Sequence, residues 1–300
     1  MLIGFLLINK KNFEFKEHLK KTLKIFKLLI FWSLVLTIVI KLIQNQEINI
    51  IDIIKNIFTT DIYNEYTGIL WFLQNLIALY LIYPMIKITH DSNKKVYNYI
   101  CIVLLINTVL VNFLSLISNL IQTQVSFKYI NIVIDYISKF QILTNRNFLI
   151  FFMLGGYLYE NKDKFEDRKF RIKCIAMGVI SWILSFGYAF LMSKLQKKTY
   201  IDSFNYNSVF ILLIVIGVFA LTYRYKDENR WYNVLIKYIS KNSLGIYLLH
   251  IIIIRMINRF YVGEMTILFR LGKVLIVLFA SLGLTLIIKK IPKVRDWIEI

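Results

Sequence analysis

The sequence predicts an all-helical, polytopic membrane protein, and three observations carry that prediction. Of its 300 residues, 58% are hydrophobic and the mean hydropathy is +0.60, above the roughly 45–50% apolar content of soluble domains. The excess is gathered into long apolar runs separated by short, lysine-bearing stretches. A run of about 20 apolar residues, rising about 1.5 Å per residue, matches the roughly 30 Å hydrocarbon core of a bilayer. The basic residues also alternate from one connection to the next, as they do when loops lie on opposite faces of a membrane.

Complete spans are expected at residues 23–43, 69–88, 96–118, 147–160, 171–193, 208–224, 243–261 and 271–290, about eight in all. The stretch before them, Met1–Ile8, is wholly apolar and stops at Asn9. As a helix it covers only about 12 Å. It has neither the charged start nor the cleavage site of a signal peptide. It reads as the inner end of a further helix lying upstream, so the expectation is a single, N-terminally incomplete membrane domain over residues 1–300. The 147–160 run is short and is expected to draw on its flanks. Residues 47–58 and 125–140 carry apolar side chains at helical spacing and read as amphipathic helices in the outer interface, re-entrant pieces or ordinary loop helices.

Orientation follows from lysine and arginine. Lys10 to Lys24, Lys94 and Lys95, Lys162 to Lys173, Arg224 to Lys241, and Lys289 to Arg295 fall in alternate connections. The 44–68 connection has one basic residue, Lys55, against Glu47, Asp52, Asp61 and Glu65. The basic set is therefore expected inside, with the C-terminus cytoplasmic in a multi-pass cell membrane protein. A net charge of +19 in a soluble chain would point to nucleic acid; here its placement points to anionic lipid heads, and no nucleic-acid partner is expected. Cys101 and Cys174 both fall in apolar runs and read as buried thiols. The chain holds no phosphate-cradling glycine loop, no metal-spaced His/Cys/Asp set and no Gly-x-Ser-x-Gly, which leaves ATPase, zinc hydrolase and serine hydrolase readings without support.

Four segments, in order, resemble the bacterial membrane acyltransferase-3 family. MLIGFLLINKK (1–11) with KKTLKIFKLLIFWSL (20–34) resembles that family's second-helix end, basic loop and next helix. ILWFLQNLIALYLIYPMI (69–86) is similar to its Leu-Trp-Phe-Leu segment ending in Pro, FFMLGGYLYENK (151–162) to its Phe-x-x-x-Gly-x-Tyr-Leu helix end, and ISKNSLGIYLLHIIII (239–254) to its Ser-x-x-Ile-Tyr-x-x-His segment. Two features depart from the pattern. The family's first helix, with an Arg and a His about ten residues on, has no counterpart, and Gln74-Asn75 stands where members often carry Arg-Asp.

The resemblance implies transfer of an acyl group, acetyl foremost, from cytoplasmic acyl-coenzyme A to a hydroxyl of a cell-envelope carbohydrate, polymer or lipid-linked acceptor, with no bound cofactor. Such chemistry needs a base for the acceptor hydroxyl and donors for the oxyanion. His18, in the basic cytoplasmic loop, and His90, at a helix end after Pro84, read as solvated or headgroup-facing side chains. His250 is the one histidine inside a span, with Ser243 and Tyr247 on the same helix face at i, i+4 and i+7, so either hydroxyl could orient its imidazole. The plainer reading is a core histidine that fixes packing across helices. Trp71 and Gln74 share a face and either line a substrate cavity or, for Trp71, anchor the interface. Arg255 and Arg259 lie near a span's outer end, to snorkel or to meet an anionic acceptor. Lys10, Lys11, Lys20 and Lys21, in a loop, suit coenzyme A phosphates as well as lipid heads. The alternatives are a transporter or flippase of envelope precursors, expected to show inverted repeats and broken helices, or an inactive truncated remnant.

Overall fold

The computed structural model describes residues 1–58, 64–122, 132, 148–201, 204, 208–223, 231–261, 263 and 266–298. Among them, regular structure is entirely helical. The elements are α1 (Leu2–Leu7), α2 (Phe15–Ile43), α3 (Ile50–Phe58), α4 (Trp71–Ser92), α5 (Lys94–Gln122), α6 (Phe148–Glu160), α7 (Arg168–Gln196), α8 (Val209–Thr222), α9 (Trp231–Lys241), α10 (Ser243–Phe260), α11 (Ile267–Lys289) and α12 (Pro292–Arg295), with 3-10 turns at Gly68–Leu70 and Lys162–Glu166.

All eight expected apolar segments are helical. Among the described residues, the helices within Phe15–Ile43, Gly68–Ser92, Lys94–Ile121, Arg168–Gln196, Ser243–Phe260 and Ile267–Lys289 are long and apolar enough to cross a membrane. α6 and α8 are as apolar but have 13 and 14 residues, about 20 Å of helix. Only 17% of the apolar window of α5 is buried against protein. A soluble core cannot leave that much hydrocarbon exposed, so these faces meet lipid.

α2, α4, α5 and α7 run past their predicted spans, because polar residues continue the hydrogen-bonded backbone past the apolar run. α2 starts at Phe15, so Lys16 to Lys24 stand on its first turns instead of in a loop. The 47–58 segment forms α3 from Ile50 onward, with Ile50, Ile51 and Ile54 exposed. The 125–140 segment lies outside the described residues, Ile132 apart.

The chain forms two compact units: Met1–Asn12 with Ile82–Lys226, and Phe13–Leu81 with Asp227–Ile300. In the first, α1 packs on α6, and α7 on α8. The α7–α8 crossing depends on two glycines. A Cβ at Gly217 would lie 2.8 Å from Gly178 Cα, and one at Gly178 would lie 2.9 Å from Gly217 Cα, so any side chain forces the backbones apart. Tyrosine hydroxyls reach across to neighbouring backbones: Tyr83 donates to the Leu7 carbonyl at 2.7 Å, Tyr97 to Met153 at 2.6 Å, and Tyr188 to Leu116 at 2.9 Å. These bonds gain in value where no water competes.

In the second unit, α2 packs against α3 and α10, and α10 against α11. Gly245 of α10 meets Thr285 of α11 in close contact. Trp32 donates its indole N–H to the Trp297 carbonyl at 2.6 Å, and Phe31 stacks on the Trp297 ring at 4.4 Å. Lys41 is 5% exposed. Its ammonium is held by Asp52 Oδ2 at 2.5 Å and the Glu47 carbonyl at 3.0 Å, which fastens α3 beside the end of α2. An uncompensated buried charge there would be costly.

Candidate functional site

The three histidines occupy very different places. Against the reading of a solvated side chain, His18 is 7% exposed. Its Nε2–H donates to the Tyr80 carbonyl at 2.7 Å, and its ring stacks on Tyr80 at 5.3 Å. The reason lies in Pro84, inside α4. Proline has no N–H to give to the carbonyl four residues earlier, which is that of Tyr80. An imidazole from α2 supplies the missing donor.

His90 is likewise buried, at 5% exposure, instead of solvated. Nδ1 meets Asp91 Oδ1 at 2.9 Å and Nε2 meets Glu160 Oε1 at 3.0 Å. Lys87 reaches Asp91 at 2.8 Å and the Ile8 carbonyl at 2.8 Å, while Lys94 reaches Glu160 at 2.8 Å. The Tyr97 ring stands edge-on to His90 at 4.9 Å. With a carboxylate at each ring nitrogen, both N–H groups serve best as donors. His90 is therefore a clamp between α4 and α6 and is poorly placed to accept a substrate proton.

His250 is arranged differently. It is half-buried on α10, and Nδ1 lies 2.5 Å from the Tyr247 carbonyl. A carbonyl only accepts, so Nδ1 carries the proton, and the neutral ring holds its lone pair at Nε2. Among the described residues nothing hydrogen-bonds to Nε2. The expected hydroxyl partners are corrected here. The Tyr247 hydroxyl donates to the Ile69 carbonyl, and Ser243 is exposed at the first turn of α10. The backbone one turn back, within easier reach than either hydroxyl, orients the imidazole. Tyr247 instead joins α10 to the entry of α4, where its ring meets Phe72 edge-on at 5.6 Å.

Trp71 and Gln74 are half-buried on that first stretch of α4, beside the Tyr247 contact. Asn75 turns its amide back to the Trp71 carbonyl at 2.6 Å. Arg255 neither snorkels freely nor stands open. Its guanidinium forks onto Glu65, at 3.1 Å to Oε1 and 2.9 Å to the carbonyl, and Gln44 donates to the same Oε1 at 2.8 Å. Arg259 binds the Ile43 carbonyl and Asn45 Oδ1. Lys20 and Lys21 are exposed on α2, in the same unit as His250; Lys10 and Lys11 are exposed in the other unit.

Sequence reasoning missed the Lys87–His90–Asp91–Glu160 cluster. Its trace was the i, i+3, i+4 spacing of Lys87, His90 and Asp91 at a span's end. It missed His18 as well, although Pro84 alone announces an orphaned carbonyl at Tyr80. Among the described residues no group of three His, Cys, Asp or Glu side chains could hold a metal ion.

No curated protein and no solved structure matches the chain. A family model does: the acyltransferase domain Acyl_transf_3 matches residues 1–290. That match takes in all the apolar helices, His250 and the paired entry of α4. A chain of membrane-crossing helices matched over nearly its whole length to one family model is a member of it, and this protein belongs to the acyltransferase-3 family.

Proposed function

We propose that this membrane acyltransferase moves an acyl group, acetyl in the first instance, from a cytoplasmic coenzyme A thioester to a hydroxyl of a cell-envelope carbohydrate or polymer. The observation that carries the proposal is His250, in a chain whose family transfers acyl groups. Its Nδ1 is pinned by a backbone carbonyl and its Nε2 is left as the acceptor. In this reading Nε2 takes the proton of the acceptor hydroxyl as that oxygen bonds to the thioester carbon. The tetrahedral oxyanion collapses, the C–S bond breaks, and the imidazolium returns its proton to the departing thiolate. Trp71 and Gln74 line the approach, and the Gln74 amide is a candidate donor to the oxyanion. Tyr247 serves as a positioning residue, by its carbonyl at Nδ1 and by fixing α10 to Ile69.

Lys20 and Lys21 on α2 take the coenzyme A phosphates as point charges. The lysine-bearing connections and the C-terminus lie in the cytoplasm, and the membrane is the cell membrane.

The test is O-acetyl content of surface polymers, read by NMR in cells expressing wild type or His250→Ala at matched protein levels. Removing a general base should lower transfer by about 10²–10⁴-fold. Undiminished O-acetylation by His250→Ala would strip His250 of the role. Wild-type protein that adds no acetyl group would refute the reaction.

A further inference from the structure

α3 is amphipathic, yet it turns its polar side toward the protein. At about 100° per residue, Ile50, Ile54 and Ile51 fall within about 100° of arc, and Asp52 and Asn56 fall on the opposite side. Asp52 Oδ2 holds the buried Lys41 ammonium at 2.5 Å. Asn56 is 6% exposed. Its Oδ1 accepts from Asn64 Nδ2 at 2.9 Å, and its carbonyl accepts from the Thr67 hydroxyl at 3.5 Å. Asn64 Oδ1 in turn accepts from the Tyr66 and Thr67 N–H groups. These bonds fix the rotation of α3 about its axis and tie it to the turn that opens α4. The isoleucines are left outward: Ile50 is 73% exposed, Ile51 71% and Ile54 52%.

A helix on a water-facing surface turns its apolar stripe to the core. The reverse arrangement calls for an apolar medium outside, and position supplies one. α3 packs on α2 at the end remote from Lys16 to Lys24. From Lys16 to Lys41 that helix rises about 37 Å, a little more than the roughly 30 Å hydrocarbon core. Lys41, and the helix it holds, therefore stand at the membrane surface. Leu42, exposed beside Lys41, carries the lipid-facing surface of α2 up to α3. A second copy of the chain fits the patch poorly, since three side chains are few against the roughly 20–30 residues a side of a stable interface. Anionic heads fit it poorly too: the 44–68 connection carries Glu47, Asp52, Asp61 and Glu65 against Lys55.

We infer that α3 is an interfacial anchor, lying along the membrane surface with Ile50, Ile51 and Ile54 sunk among lipid acyl chains while Asp52 and Asn56 stay bonded to the protein. Hydrocarbon contact on one side and fixed polar bonds on the other set the level at which the chain leaves α2 and enters α4. The inference is independent of the acyl-transfer reading.

The experiment uses the full chain in phosphatidylcholine vesicles. Cys101 and Cys174, both buried, are replaced by alanine, and a nitroxide is attached at Ile51→Cys, Ile54→Cys or Glu47→Cys. Collision with oxygen, which favours lipid, is compared with collision with a water-soluble nickel chelate. Labels at 51 and 54 should favour oxygen and report a depth of about 5–10 Å below the headgroups, whereas the label at 47 should favour nickel. Nickel access at 51 and 54 equal to that at 47 overturns the inference, because α3 is then a loop helix in water. Shielding from both reagents, or spin coupling between copies, overturns it in favour of a protein partner. A depth near the bilayer centre overturns it in favour of a re-entrant piece. Insertion only when phosphatidylglycerol is added overturns it as well, since heads and not chains would then hold the helix. Should the labelled variants lose the folded peak on size exclusion, the wild-type chain is irradiated in phosphatidylcholine with a diazirine on the upper acyl chain. Mass spectrometry should find adducts at Ile50, Ile51 or Ile54; adducts on α2 with none on α3 overturn the inference.

Discussion

The bond from His18 to Tyr80 makes a sharp prediction. His18→Ala removes the donor that replaces the missing N–H of Pro84 and leaves the Tyr80 carbonyl without that partner. A buried orphaned acceptor costs about 1–3 kcal/mol. The stacked ring at 5.3 Å adds about 0.5–1.5 kcal/mol. Together the loss is about 1.5–4.5 kcal/mol. Pro84→Ala alone restores the helix donor and competes with His18 for one carbonyl, so its own effect should be small. In the Pro84→Ala background, His18→Ala should cost only the stacking part. The cycle is read from reversible unfolding in detergent, with a coupling of about 1–3 kcal/mol expected. An equal cost of His18→Ala in both backgrounds would refute the claim that the imidazole substitutes for the proline's absent N–H.

Two further outcomes follow from the packing. Gly217→Leu should destabilise the α7–α8 pair by about 1–3 kcal/mol or prevent assembly, because its Cβ already lies 2.8 Å from Gly178 Cα; an unchanged melting temperature contradicts this. His90→Ala should cost about 1–3 kcal/mol, less than Glu160→Ala. Asp91 and Glu160 each keep a lysine when the ring is gone, whereas removing Glu160 leaves Nε2 of the buried His90 ring without its carboxylate. The reverse order in thermal unfolding contradicts the clamp.

The helices were readable because span length is dictated by bilayer thickness, and apolar runs report it directly. Their ends were not, since the backbone ladder of α2 and α7 continues into polar residues that hydropathy counts as loop. His250 was legible as the histidine inside an apolar run. The partner of its ring was not. Periodicity shows that Ser243, Tyr247 and His250 share a face, but not that a ring nitrogen meets its own helix's carbonyl before any hydroxyl. His18 and His90 were misread because a place in a loop or at a helix end was equated with exposure. An orphaned carbonyl at Tyr80 and a carboxylate from α6 brought each ring inward.

Many hydroxyls within the apolar helices turn back on their own backbone: Thr22 to His18, Thr37 to Ser33, Ser281 to Val277 and Thr285 to Ser281. A segment whose alcohols are satisfied internally can enter lipid singly, at little energetic penalty, before its neighbours arrive. α4 cannot, because the carbonyl at Tyr80 waits on an imidazole from another segment. The order of synthesis resolves this, since α2 leaves the ribosome first. Biogenesis should therefore stall at α4, and at none of the self-satisfied helices, when His18 is absent.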